Sequence, residues 1–267
     1  ETTLQVLHEP GKTAQSNSYM WLYRTGGDTD RPIVLFDYQP GRGACYPKAF
    51  LKNFRGYLHT DGYSGYHSLP DEITVVGCWA HARRKFDEAM KSLPKGKAKN
   101  SSAAQGLAYC NLLFKIEEGL TGLPPKERYD QRLEQAKPVL DALLAWANTR
   151  TAAPKSSLGK ALSYLKEQWP YLLNYLKDGR LELSNNRAER SIKPFVIDRK
   201  NFLFANTPSG AKSSAVIFSL IQTAIENGLD PYRYLTWLLS SAPEMELAQP
   251  DVVRSLLPWN APVSCKP

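Results

Sequence analysis

The chain has 267 residues and a formal net charge of +8, and 42% of its residues are hydrophobic. This composition is typical of a globular protein with a real core, and its basic balance favours a polyanionic partner, although charge alone is a weak argument. No apolar run approaches the length of a membrane span, and the four cysteines form no Cys-x-x-Cys pair. The sequence therefore favours neither a membrane protein, nor a zinc ribbon, nor a disulfide framework, and reduced thiols in a cytoplasmic protein fit best.

Residues 1–90 have the pattern of an α/β protein. The predicted elements are, in order, strands at 2–8, 18–24 and 32–36, a helix over 46–54, strands at 56–60 and 73–77, and a helix from Trp79. The first three strands are close enough in sequence to form an antiparallel meander. The whole order predicts a mixed sheet with helices packed on it. Because the chain opens at Glu1, directly in the first predicted strand, we expect a fragment of a longer protein.

The middle of the chain, residues 91–183, is predicted to be all-helical. Its first ten residues are basic and poorly apolar, which is typical of a loop, and they include Lys91, Lys95, Lys97 and Lys99. From residue 102 to 177 apolar residues recur at helical spacing without a strand signal, and the last helix is predicted to start at Pro170. Because they have an apolar periodicity of their own, these helices are expected to pack as a helical subdomain, for which dimerisation or a purely structural role is one interpretation.

The remaining residues are predicted to be helical up to about residue 242. Apolar spacing predicts a helix after Ser184 with a break or kink near Lys193, because Pro194 sits badly inside a helix. A short extended piece at 202–204 precedes a helix over 210–226, and Asp230 and Pro231 are typical of the start of another. Residues 243–267 are proline-rich and are expected to be ordered only in part.

Asp61 directly follows the fourth predicted strand. In sheets of this type ligands gather outside the carboxyl ends of strands, which makes a carboxylate at this place a candidate site residue. The alternative is a turn residue, since Asp-Gly is a standard turn dipeptide.

Glu189 is the second candidate carboxylate. With Asn185 and Lys193 it is spaced at i, i+4 and i+8, so the three are predicted to share one helix face. The alternative is a capping box, with Asn186 at the N-cap and Glu189 at N3. A strand-end Asp and a helix-borne Glu can converge on a divalent metal in a phosphoryl-transfer enzyme, but a complete two-metal site needs a third carboxylate, expected from the middle of the first strand or just before it.

Six ordered segments carry a more specific pattern. They are residues 1–3, 56–63, 77–86, 183–190, 199–204 and 256–260. Together they resemble the transposases of the IS66 insertion-sequence family across essentially the whole chain. The resemblance implies a ribonuclease-H-like, retroviral-integrase-like α/β core, with residues 1–90 as its first part, 91–183 as an all-helical insertion, 184–242 as its second part and 243–267 as a tail.

The resemblance also implies an Asp, Asp, Glu triad that binds two Mg²⁺ (or Mn²⁺) ions. Asp61 matches the second Asp and Glu189 the Glu, whereas the first Asp of the family pattern stands immediately before Glu1. The implied activity is DNA cleavage and strand transfer on transposon ends and target DNA, by a bacterial, nucleoid-associated protein that forms homo-oligomers on DNA. As given, the chain is expected to be inactive. A nuclease or resolvase, and an inactive DNA-binding protein derived from a transposase, are the alternatives.

Cys78 and His81 have three interpretations. A zinc site needs more ligands than this pair supplies. A half-buried Cys with a capping His at a strand-to-helix turn is the second. The third follows from the resemblance: a Cys-x-x-His motif in which His81 belongs to the catalytic site, orienting it or touching DNA.

Cations flank both candidate carboxylates. Together with Asn186, the predicted DNA-binding residues are Arg83, Arg84, Lys85, Arg187, Arg190, Lys193, Arg199 and Lys200. Contacts to phosphates would make binding strongly dependent on salt. A solvated basic face is the alternative explanation for each cluster.

Overall fold

A computed structural model describes residues 1–267 of the chain, apart from the side chain of Lys95. That side chain is one of the four predicted loop lysines, so its part in that expectation lies outside the described residues. In the described chain, no helix is both long enough and apolar enough to cross a membrane.

The chain folds into short strands and many helices. Within the described residues the strands are β1 (Thr2–Val6), β2 (Asn17–Arg24), β3 (Val34–Gln39), β4 (Gly56–His59), β5 (Ile73–Val76) and β6 (Phe204–Ala205). The α-helices of the same residues are α1 (Cys45–Phe50), α2 (Trp79–Lys91), α3 (Lys95–Ala98), α4 (Ser102–Gly119), α5 (Pro125–Gln131), α6 (Lys137–Asn148), α7 (Ser157–Leu172), α8 (Asn186–Phe202), α9 (Pro208–Glu226), α10 (Pro231–Ser241) and α11 (Pro250–Ser255). A π-helical turn, Arg132–Ala136, joins α5 to α6, and a 3-10 turn, Leu173–Lys177, follows α7.

The packing divides the chain into two compact units. The first unit comprises Glu1–Tyr46 and Arg187–Pro267, and the second comprises Pro47–Asn186. The second unit holds β4, β5 and α2 together with all the helices of the predicted insertion. The division into a core and an inserted subdomain stays a prediction.

The first unit contains a four-stranded sheet in the order β3-β2-β1-β6. β1, β2 and β3 pair antiparallel, which confirms the predicted meander, and the short β6 pairs parallel with β1. Alternation along the strands puts one face inward, where it buries Leu4, Met20 and Phe36 against Phe195 of α8 and Ala215 of α9.

Helix α9 covers the outer edge of this sheet with side-chain hydroxyls. Thr223 Oγ1 accepts a hydrogen bond from Val34 N at 3.1 Å and donates one to Val34 O at 3.0 Å. One turn earlier, Ser219 Oγ accepts from Phe36 N at 2.8 Å. The backbone groups that β3 would otherwise leave unpaired are therefore satisfied by a helix.

Helix α8 runs through Pro194 without a break, so of the break or kink predicted near Lys193 the break is wrong, and the kink stays a prediction. A proline inside a helix costs about 3 kcal/mol. The next residue, Phe195, is fully buried, and its ring lies 5.9 Å from that of Phe36 and 5.1 Å from that of Phe218. This packing stabilises the second half of the helix and offsets that cost. Pro170 likewise lies inside α7 instead of starting a helix.

The second unit contains a separate two-stranded sheet, in which β4 and β5 pair parallel. The strands of the chain thus form two sheets where a single mixed sheet was predicted. The helices pack directly on β5 and α2, and share with them one apolar core that includes Val76, Trp79, Phe86, Leu140 and Leu165. Gly77 N donates to Tyr171 O at 2.9 Å, which joins the end of β5 to α7.

The C-terminal residues are folded, although only partial order was expected. Tyr234 Oη donates to Leu256 O at 2.9 Å, and Asp230 N donates to Cys265 O at 2.8 Å. Cys265 is 1% exposed and packs in a small apolar cluster with Tyr234. Cys265 and Ala261 of the tail thus pack against apolar side chains of α10.

Candidate active-site residues

Asp61 lies at the carboxyl end of β4, as predicted. Thr60 N donates to Val76 O at 3.0 Å and extends the pairing of β4 with β5 by one residue. Asp61 Oδ1 then accepts a hydrogen bond from Tyr63 N at 3.0 Å, and Gly62 has a φ of +89°. The side chain of Asp61 therefore stabilises the turn that ends the strand, as the turn interpretation expected.

Helix α7 of the predicted insertion supports this turn. Tyr164 Oη donates to Asp61 O at 3.3 Å. A Cβ atom on Gly62 would lie 2.9 Å from Tyr164 Oη and 3.0 Å from Gln168 Oε1, so a larger residue would have to displace the end of one of these side chains and would also adopt a positive φ. Burial raises the pKa of Tyr164, the carboxylate of Asp61 contributes in the same direction, and Arg84 opposes them. Tyr164 thus keeps its proton at neutral pH and remains a donor to the Asp61 turn.

Cys78 stands between β5 and α2 and is fully buried rather than half-buried. Its Sγ accepts a hydrogen bond from Asn185 N at 3.4 Å, and the next residue, Trp79, donates its N–H to Leu183 O at 3.1 Å. The start of α2 therefore holds the segment that immediately precedes α8. Half-buried His81 donates its backbone N–H to Cys78 O at 3.2 Å, and its catalytic role stays a prediction.

Glu189 lies in the first turn of α8 and is exposed. The helix begins at Asn186, so the residue directly before it is Asn185. The predicted capping box requires Asn186 in that position. Asn185 is 9% exposed and does not share the exposed face with Glu189 and Lys193.

That exposed face of α8 is basic. At about 100° per residue, an arc of about 100° holds the following exposed side chains: Asn186, Glu189, Arg190, Lys193, Ile197 and Lys200. We call these six residues the α8 face. It places three of the predicted DNA-binding cations in line with the candidate catalytic carboxylate.

Arg24, which the sequence did not single out, holds the first turns of α8. Its Nη1 donates to Ser191 Oγ at 2.6 Å and to Arg187 O at 3.4 Å. Its guanidinium also forms a bidentate pair with Glu226 of α9, at 3.0 and 2.8 Å. The hydrogen bonds from Arg24 hold the pKa of Glu226 below its usual range against burial, and the charges of Arg187 and Arg190 contribute. Local sequence carries no signal for this pair, because the partners are 202 residues apart.

Two predicted DNA-binding arginines have partners inside the protein. Arg199 Nη1 donates to Thr2 Oγ1 at 2.9 Å and to both oxygens of Thr3, which ties the end of α8 to β1. Arg83 Nε donates to Asn111 Oδ1 at 2.6 Å, between α2 and α4. Beside Arg83, Arg84 is exposed and Lys85 is half-buried.

The two candidate carboxylates belong to different units, Asp61 to the second and Glu189 to the first. Their oxygens are donors of the hard kind that Mg²⁺ prefers. Among the residues that the structure describes, there is no group of three or more His, Cys, Asp or Glu side chains that could hold a metal ion. The carboxylate oxygens of Asp61 and Glu189 are thus of the type that binds Mg²⁺. Two carboxylates are too few to supply all the protein ligands of a two-metal site.

Comparison with known proteins matches the chain from end to end. The model of the Transposase IS66 family matches residues 1–213, and that of the IS66 C-terminal element matches residues 219–259. Uncharacterized protein y4qI of Sinorhizobium fredii (strain NBRC 101917 / NGR234) is 32% identical, over 97% of this chain and 50% of its own length. Uncharacterized protein y4hP of the same organism is 31% identical, over 90% of this chain and 46% of its own.

The chain spans about half the length of the curated relatives it matches. No solved structure matches it. Because one family model covers residues 1–213 and a second covers most of the rest, the chain belongs to the IS66 transposase family.

Proposed function

We propose that this chain carries the catalytic region of a DDE transposase, which cleaves DNA at the ends of an insertion sequence and joins the freed strand to target DNA. The family match carries the proposal, because it spans both candidate carboxylates. A ribonuclease-H-like core is part of it. The antiparallel meander of β1, β2 and β3 supports that fold, whereas β4 and β5 pair in a sheet of their own.

In this proposal Asp61 and Glu189 are metal ligands. When bound, Mg²⁺ (or Mn²⁺) would activate the attacking oxygen and stabilise the leaving one. The turn that Tyr164 and Gly62 complete keeps Asp61 at the end of β4, and the Arg24 pair keeps the first turn of α8 in place. The family resemblance supplies the third ligand, an Asp expected before Glu1 in the longer protein. His81 would orient the site or touch DNA.

DNA binding is assigned to the α8 face and to Arg84 and Lys85. Arg190, Lys193 and Lys200 are exposed and have the charge to contact successive phosphates of one strand. Each phosphate contact contributes about one unit to the slope of log affinity against log salt concentration. Arg199 and Arg83 contribute mainly through the internal hydrogen bonds described above.

The test uses the full-length protein and four matched variants. We expect Asp61→Asn and Glu189→Gln to abolish cleavage and strand transfer of plasmid-borne element ends, while exposed Asp71→Asn and Glu118→Gln leave both intact. Binding of Mn²⁺, followed by electron paramagnetic resonance, should weaken in the first two variants only. Normal cleavage by Asp61→Asn or Glu189→Gln contradicts the assignment.

The products of the same assay separate the alternatives. Cleaved ends without joined products identify a nuclease or resolvase. Salt-dependent DNA binding without any cleavage by the full-length protein identifies an inactive DNA-binding derivative.

A further inference from the structure

Leu203, directly after α8, has an unusual backbone conformation. Within the described residues it is the one non-glycine residue with a positive φ, at 64°. Its N–H donates to Arg199 O at 2.8 Å, so it occupies the position after a helix end that glycine usually takes. A leucine in this conformation costs about 1–2 kcal/mol relative to glycine.

The side chain of Leu203 is also exposed. It is 63% exposed, and it lies between Phe202 and Phe204, which are 38% and 43% exposed. A glycine here would remove both the backbone strain and the exposed leucine. The local fold therefore gives no reason for leucine at this position, which points to a use outside the fold.

The turn is held firmly from both sides. Arg199 bonds to Thr2 and Thr3, and Phe204 pairs with Gln5 of β1. The ring of Phe202 packs at 5.9 Å from that of the buried Phe195. Leu203 is thus presented outward on a rigid support.

The charge beside this turn identifies its partner. Lys200 lies one helical turn before Leu203, in line with Lys193 and Arg190 on the α8 face. These cations, followed in the chain by the exposed apolar side chain of Leu203, are the combination that complements a nucleic-acid backbone with stacked bases beside it. At 1.5 Å per residue, the 14 residues from Glu189 to Leu203 span about 21 Å, or about six nucleotides at 3.4 Å each.

We infer that Leu203 is an apolar wedge that enters the DNA duplex about six nucleotides from the phosphate cleaved at Glu189. Apolar side chains that insert at a base step unstack it and bend the duplex. Such an opening near the cleaved phosphate would help a strand end to leave its partner. This inference rests on the proposed function, because it requires DNA on the α8 face.

The experiment measures base unstacking directly. The full-length protein, without divalent metal, binds a duplex of the terminal sequence that flanks its gene, with 2-aminopurine placed singly at positions four to eight from the cleavage site. We expect wild type to raise the fluorescence at one or two of these positions. Leu203→Ala and Leu203→Gly should lose that increase and bind about tenfold more weakly, as expected when the burial of one leucine side chain is lost.

Three further variants make the result specific. Leu239 on α10 is 64% exposed, so Leu239→Ala removes an equally exposed leucine and should behave as wild type. Leu203→Met keeps an apolar side chain and should retain the fluorescence increase. Leu203→Gly should unfold at a temperature no lower than wild type, which separates loss of the wedge from loss of the fold.

Several outcomes overturn the inference. It is wrong if wild type leaves the fluorescence unchanged, or if the Leu203 variants match wild type. If these variants instead change the sedimentation mass of the protein without changing the fluorescence, the turn is a contact between copies of the chain. The catalytic proposal fails separately, if Asp61→Asn still cleaves DNA, and the fluorescence result stands regardless of that outcome.

Discussion

Arg132 and Glu117 form a bidentate ion pair inside the second unit, with Nε 2.6 Å from Oε1 and Nη2 2.8 Å from Oε2. Their side chains are 0% and 8% exposed. Arg132 also donates to the carbonyl oxygens of Tyr175, Asp178 and Leu181. Arg132 lies in the π-helical turn between α5 and α6. Its side chain therefore connects this turn both to α4 and to the segment that precedes α8.

Removing one partner of this pair should be strongly destabilising. We expect Arg132→Met to lower the free energy of unfolding by about 3–5 kcal/mol, because Glu117 and three carbonyl oxygens lose a buried donor. Lys137→Met, which breaks the exposed pair with Asp141, should cost less than about 0.5 kcal/mol. Urea denaturation measures both. The double variant Arg132→Met, Glu117→Leu should recover part of the lost stability, because it leaves no unpaired buried carboxylate. An equal loss in the single and double variants would show that the unpaired charge of Glu117 is not the cause.

The stability of the protein should fall on mild acidification because of His59. Burial lowers the pKa of His59 to about 4, against the opposing charge of Glu182. In the unfolded chain the pKa of His59 is about 6.5. Between about pH 6.5 and 4, His59 is therefore protonated in the unfolded chain and neutral in the folded chain. We expect a loss of about 2 kcal/mol between pH 7.5 and 5, measured by urea denaturation.

The control for this pH effect is a second histidine. His59→Gln should lack the loss over this range, whereas exposed His8→Gln should lose as much as wild type. A wild-type stability that stays constant from pH 7.5 to 5 would show that His59 titrates normally in the folded chain.

Acidification below pH 4.5 should act through Glu117. Burial by itself would raise the pKa of Glu117, but the hydrogen bonds and charges of Arg132 and Arg128 outweigh it and hold that pKa below its usual range. The contribution of the pair is therefore complete above the unfolded pKa of Glu and is lost as the pH falls through the folded one. Stability curves of Glu117→Gln and wild type should converge at low pH, and a constant difference between them would contradict this.

The turn at Asp61 offers a test with a close control. Gly62 has a φ of +89° and Gly122 a φ of +85°, but only Gly62 has neighbours that a Cβ would touch. We expect Gly122→Ala to cost about 1–2 kcal/mol from backbone strain alone, and Gly62→Ala to cost clearly more. Thermal unfolding compares the two, and equal costs would mean that α7 does not press on this turn.

The hydroxyl of Thr223 should contribute to stability through the edge of β3. Thr223→Val keeps the shape but leaves Val34 N–H and C=O without this partner, which should cost about 1–3 kcal/mol. Exposed Thr236→Val on α10 should change stability little. Amide hydrogen exchange of Val34 should accelerate in the first variant only, and unchanged exchange there would exclude the role of the hydroxyl.

The parts of the fold that depend on neighbouring residues were predictable from the sequence. Asp230 caps α10 by accepting from Arg233 N at 2.8 Å, and Gly228 has the positive φ expected after α9. Asp61 ends β4 in a turn because Asp-Gly favours one. The exposed positions of Glu189 and Lys193 on one helix face followed from their spacing alone.

The rest required contacts between distant residues. Nothing near Pro194 indicates that Phe195 will be buried against Phe36, so the packing that stabilises α8 beyond the proline could not be predicted. Arg24 and Glu226 are recognisable as partners only in three dimensions. The division of the strands into two sheets has the same origin, since local alternation predicts strands and not their neighbours.

The cover of helix α9 on the edge of β3 also affects how copies of the chain can associate. An exposed strand edge invites a strand of another molecule to extend the sheet, and it does so equally in orderly assembly and in aggregation. Along β3 the groups that such a strand would use at Val34 and Phe36 already bond to Thr223 and Ser219. An incoming strand would first have to displace a helix, so the β3 edge should resist strand addition and fibre formation at high concentration.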